Sequence, residues 1–159
     1  MLNINRFLSQ IHYFRHQYFD QKSMTYTRTN NLLGWLSFLA ASIVYTLTLE
    51  PTTSFWDSGE FIASAYKLQV VHQPGAPLYL MVGKVFSLLA GGDTSRVAFW
   101  INMCSALASA ATILFLFWTI TALARKIISK PGVSLTNGEL ITIMGSGLVG
   151  ALAYTFSDS

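Results

Sequence analysis

The sequence predicts an all-α integral membrane protein with about three transmembrane helices and further interfacial helices in the first outward loop. Of its 159 residues, 52% are hydrophobic and only 11% are charged, whereas soluble domains carry about 25% charged residues. Long segments lack charge altogether and approach the ~20 residues that a membrane-spanning helix needs. Much of the remaining charge falls between these segments, where a membrane protein meets water.

The composition also excludes several classes of function. The net charge is only +3 and no basic patch is interleaved with aromatic residues, so nucleic acid is not an expected partner. The single cysteine, Cys104, lies in an apolar run, which excludes an intrachain disulfide and a Cys/His zinc site. Because no Asp-x-Asp motif is present, we expect neither a metal ion nor a cofactor.

Residues 1–30 are predicted to form a cytoplasmic amphipathic segment. They mix basic and aromatic side chains, which is typical of a helix at a membrane surface. The charged region is too long for a signal peptide. Residues 31–159 are then the membrane domain.

Three apolar segments of this domain are the predicted spans, at about residues 31–49, 97–124 and 140–156. Basic residues before the first span and between the second and third indicate that both segments are cytoplasmic. An even number of crossings must separate them, so the loop 50–96 is predicted to face outward. Small residues four apart in the second and third spans indicate close packing against partner helices.

The outward loop is predicted to begin with a helix from about Phe55 to Val70, capped by Ser54 with Asp57 as its capping-box partner. A polar stripe and an opposite apolar face indicate a helix that lies flat on the membrane. The stripe consists of Asp57, Glu60, Ser64 and Lys67. Because Asp57 and Glu60 are neighbours on it, like-charge repulsion is expected to raise the pKa of one of them.

After this helix, Pro74, Gly75 and Pro77 predict a reversal of the chain. The residues before the two prolines are expected to be extended, and Pro77 is expected to open the next helix. His72 precedes the reversal and is expected to point back at the acidic stripe.

Residues 78–90 are too short for an ordinary crossing and predict a second interfacial or re-entrant helix that ends at Gly91-Gly92-Asp93. A full crossing here would invert the topology downstream.

Each polar residue of this loop also has a structural explanation. Asp57 and Glu60 can be solvated groups on an exposed helix, and His72 can be an ordinary turn residue. Lys67 and Lys84 can extend to the membrane interface along their apolar stems. The density of acids, lysine and histidine within residues 57–72 of a nearly charge-free chain favours a functional site.

Three stretches of the sequence resemble the hallmarks of a bacterial family of multi-pass membrane proteins whose function was formerly unknown. They are "FWDSGEF" at 55–61, "HQPGAPL" at 72–78 and "AYTFSDS" at 153–159. The family has a transmembrane protein O-mannosyltransferase as its animal relative. The resemblance covers the chain from about Leu32 onward, and Gln73 departs from it where proline is expected. It implies the N-terminal part of a longer protein, in the bacterial inner membrane.

This resemblance implies a fold similar to the N-terminal part of the C-type (GT-C) membrane glycosyltransferases. The implied reaction transfers a sugar from a polyprenyl-phosphate donor to a hydroxyl of a protein or glycan acceptor, beside membrane lipid and the remainder of the chain. Asp57 is then the general base, and Glu60 orients the acceptor or tunes Asp57. Residues that would contact substrate are His72, Lys67, Trp56 and Lys84.

Two alternatives stay open at this point. A non-catalytic membrane subunit or transporter module would place Asp57 and Glu60 near the bilayer midplane, along a passage between helices. A transferase would place them at the outer boundary of the membrane. The chain could also be a fragment of the enzyme that has no activity alone.

Overall fold

The computed structural model describes residues 4–129 and 133–157, with side chains from residue 25 onward. Within these ranges the chain is helical and contains no β-strand. The α-helices are α1 (Ile4–Leu47), α2 (Ser58–Lys67), α3 (Pro77–Ser87), α4 (Val97–Ile128) and α5 (Asn137–Thr155). Two short 3-10 helices, Leu88–Ala90 and Thr94–Arg96, lie between α3 and α4. The predicted amphipathic pattern of residues 1–30 falls mostly on side chains outside the described residues.

Two helical segments of the described residues are long and apolar enough to cross a membrane. They are Thr25–Leu47, with 23 residues, and Thr94–Ile128, with 35. They overlap the predicted spans at 31–49 and 97–124. The predicted span at 140–156 corresponds to α5, which has 19 residues; its crossing of the membrane stays a prediction.

The chain divides into two compact units, residues 1–38 with 113–159 and residues 39–112. In the first unit α5 packs against the second half of α4. Phe117 and Thr121 of α4 are fully buried and lie directly beside Gly147 of α5. The edge-to-face contact between Trp35 and Trp118, with ring centroids 6.3 Å apart, joins α1 to α4 in the same unit.

The second unit has its own apolar core, formed by α2, α3 and the beginning of α4. Its buried members are Ile62, Ala65, Val71, Leu80, Ala90, Val97 and Ile101. Gly83 lets α3 approach α2 closely, because a Cβ atom there would lie only 3.0 Å from Cβ of Ala65. This core holds α2 in a fixed position relative to the turn that follows it.

The structure corrects the predicted start of α2. The helix begins at Ser58 rather than near Phe55, because Trp56 has a left-handed backbone with φ of +64°, which a right-handed helix does not accommodate. The predicted Ser54 cap is therefore wrong. Asp57 occupies the N-cap position but its side chain makes no capping hydrogen bond, and the Ser54 hydroxyl instead donates to that of Ser58.

The end of α2 and its polar stripe also differ from the prediction. The left-handed conformation of Leu68 ends the helix three residues before the predicted end at Val70. Ser64 is buried, with only 6% of its surface exposed, so it belongs to the core rather than the stripe. Leu68, which directly follows the helix, is exposed despite its apolar side chain.

The predicted reversal of the chain is confirmed. The N–H of Gly75 donates to the carbonyl of His72 over 3.0 Å, and Pro77 stands in the first turn of α3 as predicted. The expectation of an extended residue before Pro77 is wrong, because Ala76 has φ of 36° and ψ of 52°. The helix that follows ends before Gly91 and Gly92, as expected.

Candidate active site

Glu60 and His72 form the centre of a polar cluster in the second unit. The first turn of α2 presents Glu60, and the segment after α2 brings His72 back to it. The backbone N–H of His72 donates to Oε1 of Glu60 over 2.9 Å. Nδ1 of His72 lies 2.8 Å from Oε2, and because a carboxylate only accepts, Nδ1–H is the donor. His72 thus points back at the acidic residues, as the sequence predicts.

Asp57 stands on the other side of the imidazole. Its Oδ2 lies 3.8 Å from Nε2 of His72, and 65% of its side chain is exposed. The ring of His72 therefore lies between two carboxylates and contacts them through its two different nitrogens. Within the described part of the chain the carboxylate of Asp57 makes no capping hydrogen bond, and its ion-pair partner is His72.

These contacts shift the pKa values of the central pair in opposite directions. The pKa of Glu60 is lowered, first by the backbone hydrogen bond from His72 and then by the one from its ring. The pKa of His72 is raised, mainly by its hydrogen bond to Glu60 and the charge of that group, and to a smaller extent by the charge of Asp57. The expected rise in the pKa of one of the two neighbouring acids is thus wrong for Glu60, because the hydrogen bonds from His72 outweigh the desolvation that opposes them.

An aromatic residue, itself supported by a second one, packs against the histidine. Phe61 of α2 meets the ring of His72 edge to face, with centroids 5.9 Å apart, and meets Tyr79 of α3 in the same way at 5.7 Å. Phe61 restricts the orientation of the imidazole, and Tyr79 supports Phe61. Sequence reasoning missed both roles, since on a helical wheel these residues look like ordinary core members.

The other predicted substrate contacts lie in different surroundings. Trp56 directly precedes Asp57 and is 96% exposed. Lys67 is exposed at the last turn of α2; seven residues of helix separate it from Glu60 by ~10 Å along the axis. Lys84 is not brought to the acids. Its ammonium donates to the carbonyl of Tyr66 and lies 4.8 Å above that ring, so it fastens α3 to α2.

A residue from α4 holds the segment that leads to Asp57. The side-chain amide of Asn102 donates to the carbonyls of Glu50 and Thr52, each over 2.9 Å. No sequence pattern indicated this contact, because about fifty residues separate the partners. Asn102 anchors the irregular segment immediately before Trp56 and Asp57.

Within the ranges that the structure describes, no group of three or more histidine, cysteine or acidic side chains is arranged to hold a metal ion. The arrangement instead offers an accessible carboxylate, an imidazole with a raised pKa and a fully exposed indole. These groups can accept a proton, stabilise negative charge and stack against a ring.

Comparison with known proteins adds an independent observation. Residues 57–159 match the family model described as the protein O-mannosyl-transferase TMEM260 N-terminal domain. The chain is 33% identical over 85 residues to Protein O-mannosyl-transferase tmem260 of Dictyostelium discoideum, and 35% identical over 88 residues to Protein O-mannosyl-transferase TMEM260 of Mus musculus. No solved structure matches.

These alignments cover 54% and 55% of this chain but only 10% and 12% of the two relatives. The chain therefore matches about a tenth of each relative's length. The segment that matches the family model contains Asp57, Glu60 and His72.

Proposed function

Because the chain belongs to the family of the protein O-mannosyl-transferase TMEM260 N-terminal domain, we propose that it contributes the catalytic carboxylate, acting as general base, of a membrane glycosyltransferase. Two apolar helices and the named relatives indicate a membrane protein. The proposed reaction transfers a sugar from a polyprenyl-phosphate donor to a hydroxyl group of a protein, and the names of the relatives support a mannosyl group and a protein acceptor.

In this reaction the acceptor oxygen attacks the anomeric carbon of the donor. A new carbon–oxygen bond forms while the bond from that carbon to the phosphate oxygen breaks. Asp57 takes the hydroxyl proton, and the polyprenyl phosphate leaves with the bonding electrons, so the configuration of the sugar inverts. A base in this role must come within about 3 Å of the acceptor oxygen.

We choose Asp57 rather than Glu60 as the base because the two carboxylates make different contacts. His72 engages both oxygens of Glu60, whereas the carboxylate of Asp57 is largely exposed and faces His72 only at 3.8 Å. A general base needs a lone pair that an incoming hydroxyl can reach, and Asp57 offers one. Glu60 is then a positioning residue that holds His72.

His72 and Trp56 have supporting roles in the proposal. The raised pKa of His72 favours its positive form, and a fixed positive charge stabilises the negative charge that develops on a leaving phosphate. The exposed indole of Trp56 offers an apolar face for the sugar ring. Lys67 is a weaker candidate for the phosphate because it lies two turns away along α2.

The proposed placement follows from the donor. Its prenyl chain stays in the bilayer while its sugar phosphate stays at the surface, so the cluster belongs at the outer membrane–water interface, with the N-terminus cytoplasmic. A flat α2, with its apolar residues Ile62 and Ala65 buried and Asp57 and Glu60 exposed, suits this depth.

The deciding experiment replaces Asp57 in the full-length protein. Asp57→Asn keeps the shape of the side chain but removes the proton acceptor, and we expect sugar transfer from polyprenyl-phosphate mannose to a serine- or threonine-containing peptide to fall ~10²–10⁴-fold. Asp93→Asn is the matched control, since the carboxylate of Asp93 accepts hydrogen bonds from Ser95 through one oxygen, which an asparagine amide oxygen can also do. Undiminished transfer by a folded, membrane-inserted Asp57→Asn protein would overturn the assignment.

A further inference from the structure

A cavity of about 520 Å³ lies in the first unit, between the part of α1 that carries Tyr26 and Asn30 and the last turns of α4. Its volume falls within the range of ~300–1,000 Å³ that is usual for small-molecule sites. The lining includes Tyr26, Asn30, Trp118, Arg125, Lys126 and Ser129. None of these residues belongs to the polar cluster around His72.

Two of the lining residues give the cavity a positive charge. Within the described ranges neither Arg125 nor Lys126 forms an ion pair, since the ion pairs there both involve His72. The guanidinium of Arg125 lies 4.2 Å from the centroid of the Tyr26 ring, a cation–π contact that fixes the plane of the group. Its N–H donors remain available for an anion, and a planar guanidinium matches two phosphate oxygens at once.

The local backbone also favours an anion more than a helix C-terminus normally does. The carbonyls at the end of a helix carry partial negative charge. Here the carbonyl of Arg125 accepts from both the N–H and the hydroxyl of Ser129, over 2.9 and 2.6 Å. These two hydrogen bonds satisfy the carbonyl, so it repels an anion beside Arg125 and Lys126 less than a free carbonyl would.

The cavity lies at the ends of both apolar segments that are long enough to cross a membrane. Tyr26 is the second residue of Thr25–Leu47, and Arg125 and Lys126 lie in the last turn of Thr94–Ile128. Aromatic and basic residues at the ends of spans are typical of the headgroup level of a bilayer, where basic pockets between helices bind lipid headgroups.

We propose that this cavity binds the headgroup of an anionic phospholipid, with Arg125 and Lys126 contacting its phosphodiester. Phosphatidylglycerol carries the net negative charge that these two cations require, whereas phosphatidylcholine does not. The proposal is independent of the catalytic role of Asp57.

The test measures binding of short-chain phosphatidylglycerol to the full-length protein in neutral detergent by native mass spectrometry. We expect Arg125→Gln and Lys126→Gln each to weaken binding roughly tenfold, as loss of a charge-assisted hydrogen bond does. Arg125→Lys should retain part of the affinity, because it keeps the charge but not the planar fork.

Arg28→Gln is the matched control. It removes an exposed cation from α1 two residues beyond Tyr26 and outside the cavity lining, and it should leave binding within about twofold of the unchanged protein. If Arg125→Gln does not fold, the exposed Lys126→Gln decides. Equal binding by Lys126→Gln and the unchanged protein, or equal affinity for phosphatidylcholine, would overturn the proposal. Displacement by equimolar inorganic phosphate would assign the site to a soluble phosphate and refute the lipid.

Discussion

His72 holds Glu60 by both carboxylate oxygens, through its backbone N–H to Oε1 over 2.9 Å and through Nδ1 to Oε2 over 2.8 Å. One contact fixes the backbone of the turn and the other fixes the ring. Both side chains are partly exposed, so solvent screens their attraction and the pair adds little to global stability. Its main consequence is geometric, because it determines where the second ring nitrogen of His72 meets Asp57.

Replacement of Glu60 by glutamine separates positioning from proton transfer. Glu60→Gln keeps an acceptor for the backbone N–H of His72 but removes the negative charge that favours the imidazolium. We expect transfer by the full-length protein to fall ~10-fold, less than for Asp57→Asn, and the pKa of His72 to fall toward its usual 6.5. Kinetics and an NMR titration of the imidazole measure the two effects.

Glu50→Gln is a suitable control for this variant. Glu50 is an exposed acid that accepts a hydrogen bond from the hydroxyl of Thr52 and does not contact His72. A loss for Glu60→Gln as large as that for Asp57→Asn, with the pKa of His72 unchanged, would show that Glu60 itself accepts the proton.

The same pair gives stability a defined dependence on pH. The folded pKa of His72 is raised above 6.5, so its contribution is complete below pH 6.5 and is lost as pH rises through the raised value. The folded pKa of Glu60 is lowered below 4.5, so its contribution is present above pH 4.5 and is lost as pH falls through the lowered value. The pair therefore stabilises the fold most between pH 4.5 and 6.5.

Thermal unfolding of the unchanged protein and of Glu60→Gln measures this dependence. The difference in melting temperature between them should be larger near about pH 5.5 than near about pH 9. A difference that grows toward alkaline pH would contradict the hydrogen-bonded pair as the source.

Asn102 is expected to matter for activity although it lies on a different helix from the acids. Asn102→Asp replaces the amide that donates to the carbonyls of Glu50 and Thr52 by a group that repels both, which frees the segment before Trp56. Transfer should fall at least ~5-fold, since misplaced catalytic groups lose rate steeply, while Asp57 itself is unchanged. Asn102→Ser, which keeps one donor, should lose less; equal activity of both variants and the unchanged protein would refute the anchoring role.

Gly147 is expected to be essential for the packing of α5 on α4. A Cβ atom at this position would lie 2.6 Å from Cγ2 of Thr121 and 2.9 Å from Cε2 of Phe117. Both neighbours are fully buried and have little room to move. Gly147→Ala should therefore destabilise the protein by ~1–3 kcal/mol, measured by thermal or denaturant unfolding.

Gly145→Ala supplies the comparison within the same helix. Nothing lies within 4 Å of a Cβ atom built at Gly145, so alanine there should leave stability unchanged or raise it by up to ~1 kcal/mol through helix propensity. Similar effects of the two substitutions would mean that α5 does not pack closely on α4.

The long helices were predictable from the sequence because their apolar runs are continuous, and α4 and α5 follow the predicted segments closely. The start of α2 was not, because it depends on the left-handed backbone of Trp56, and a single indole in the sequence does not indicate that conformation. The apparent Ser54 capping box has aspartate where the motif prefers glutamate or glutamine. Thr136 and Glu139 satisfy that motif and form the box at the start of α5.

In the candidate site, the approach of His72 to the acids followed from local features, namely helix phase and a proline-containing turn. The roles of Asn102 and Lys84 could not be predicted from local features, because they depend on which helices become neighbours after folding. Lys84 in particular is predicted from the sequence to reach the membrane interface or a substrate, yet its ammonium donates to the carbonyl of Tyr66 and lies over that ring. The sequence pattern therefore predicted that His72 lies near Glu60 and Asp57, but not which residues anchor this cluster.

The backbone amide of His72 can report on the state of the polar cluster, because its hydrogen-bond acceptor is the side chain of Glu60. Most amides in a folded chain donate to carbonyl oxygens, which do not titrate in the ordinary pH range. That of His72 donates to a carboxylate, so its exchange with deuterated solvent should respond to substrate binding or any other event that draws Glu60 away. A single resonance could thus register occupancy of the cluster without a label.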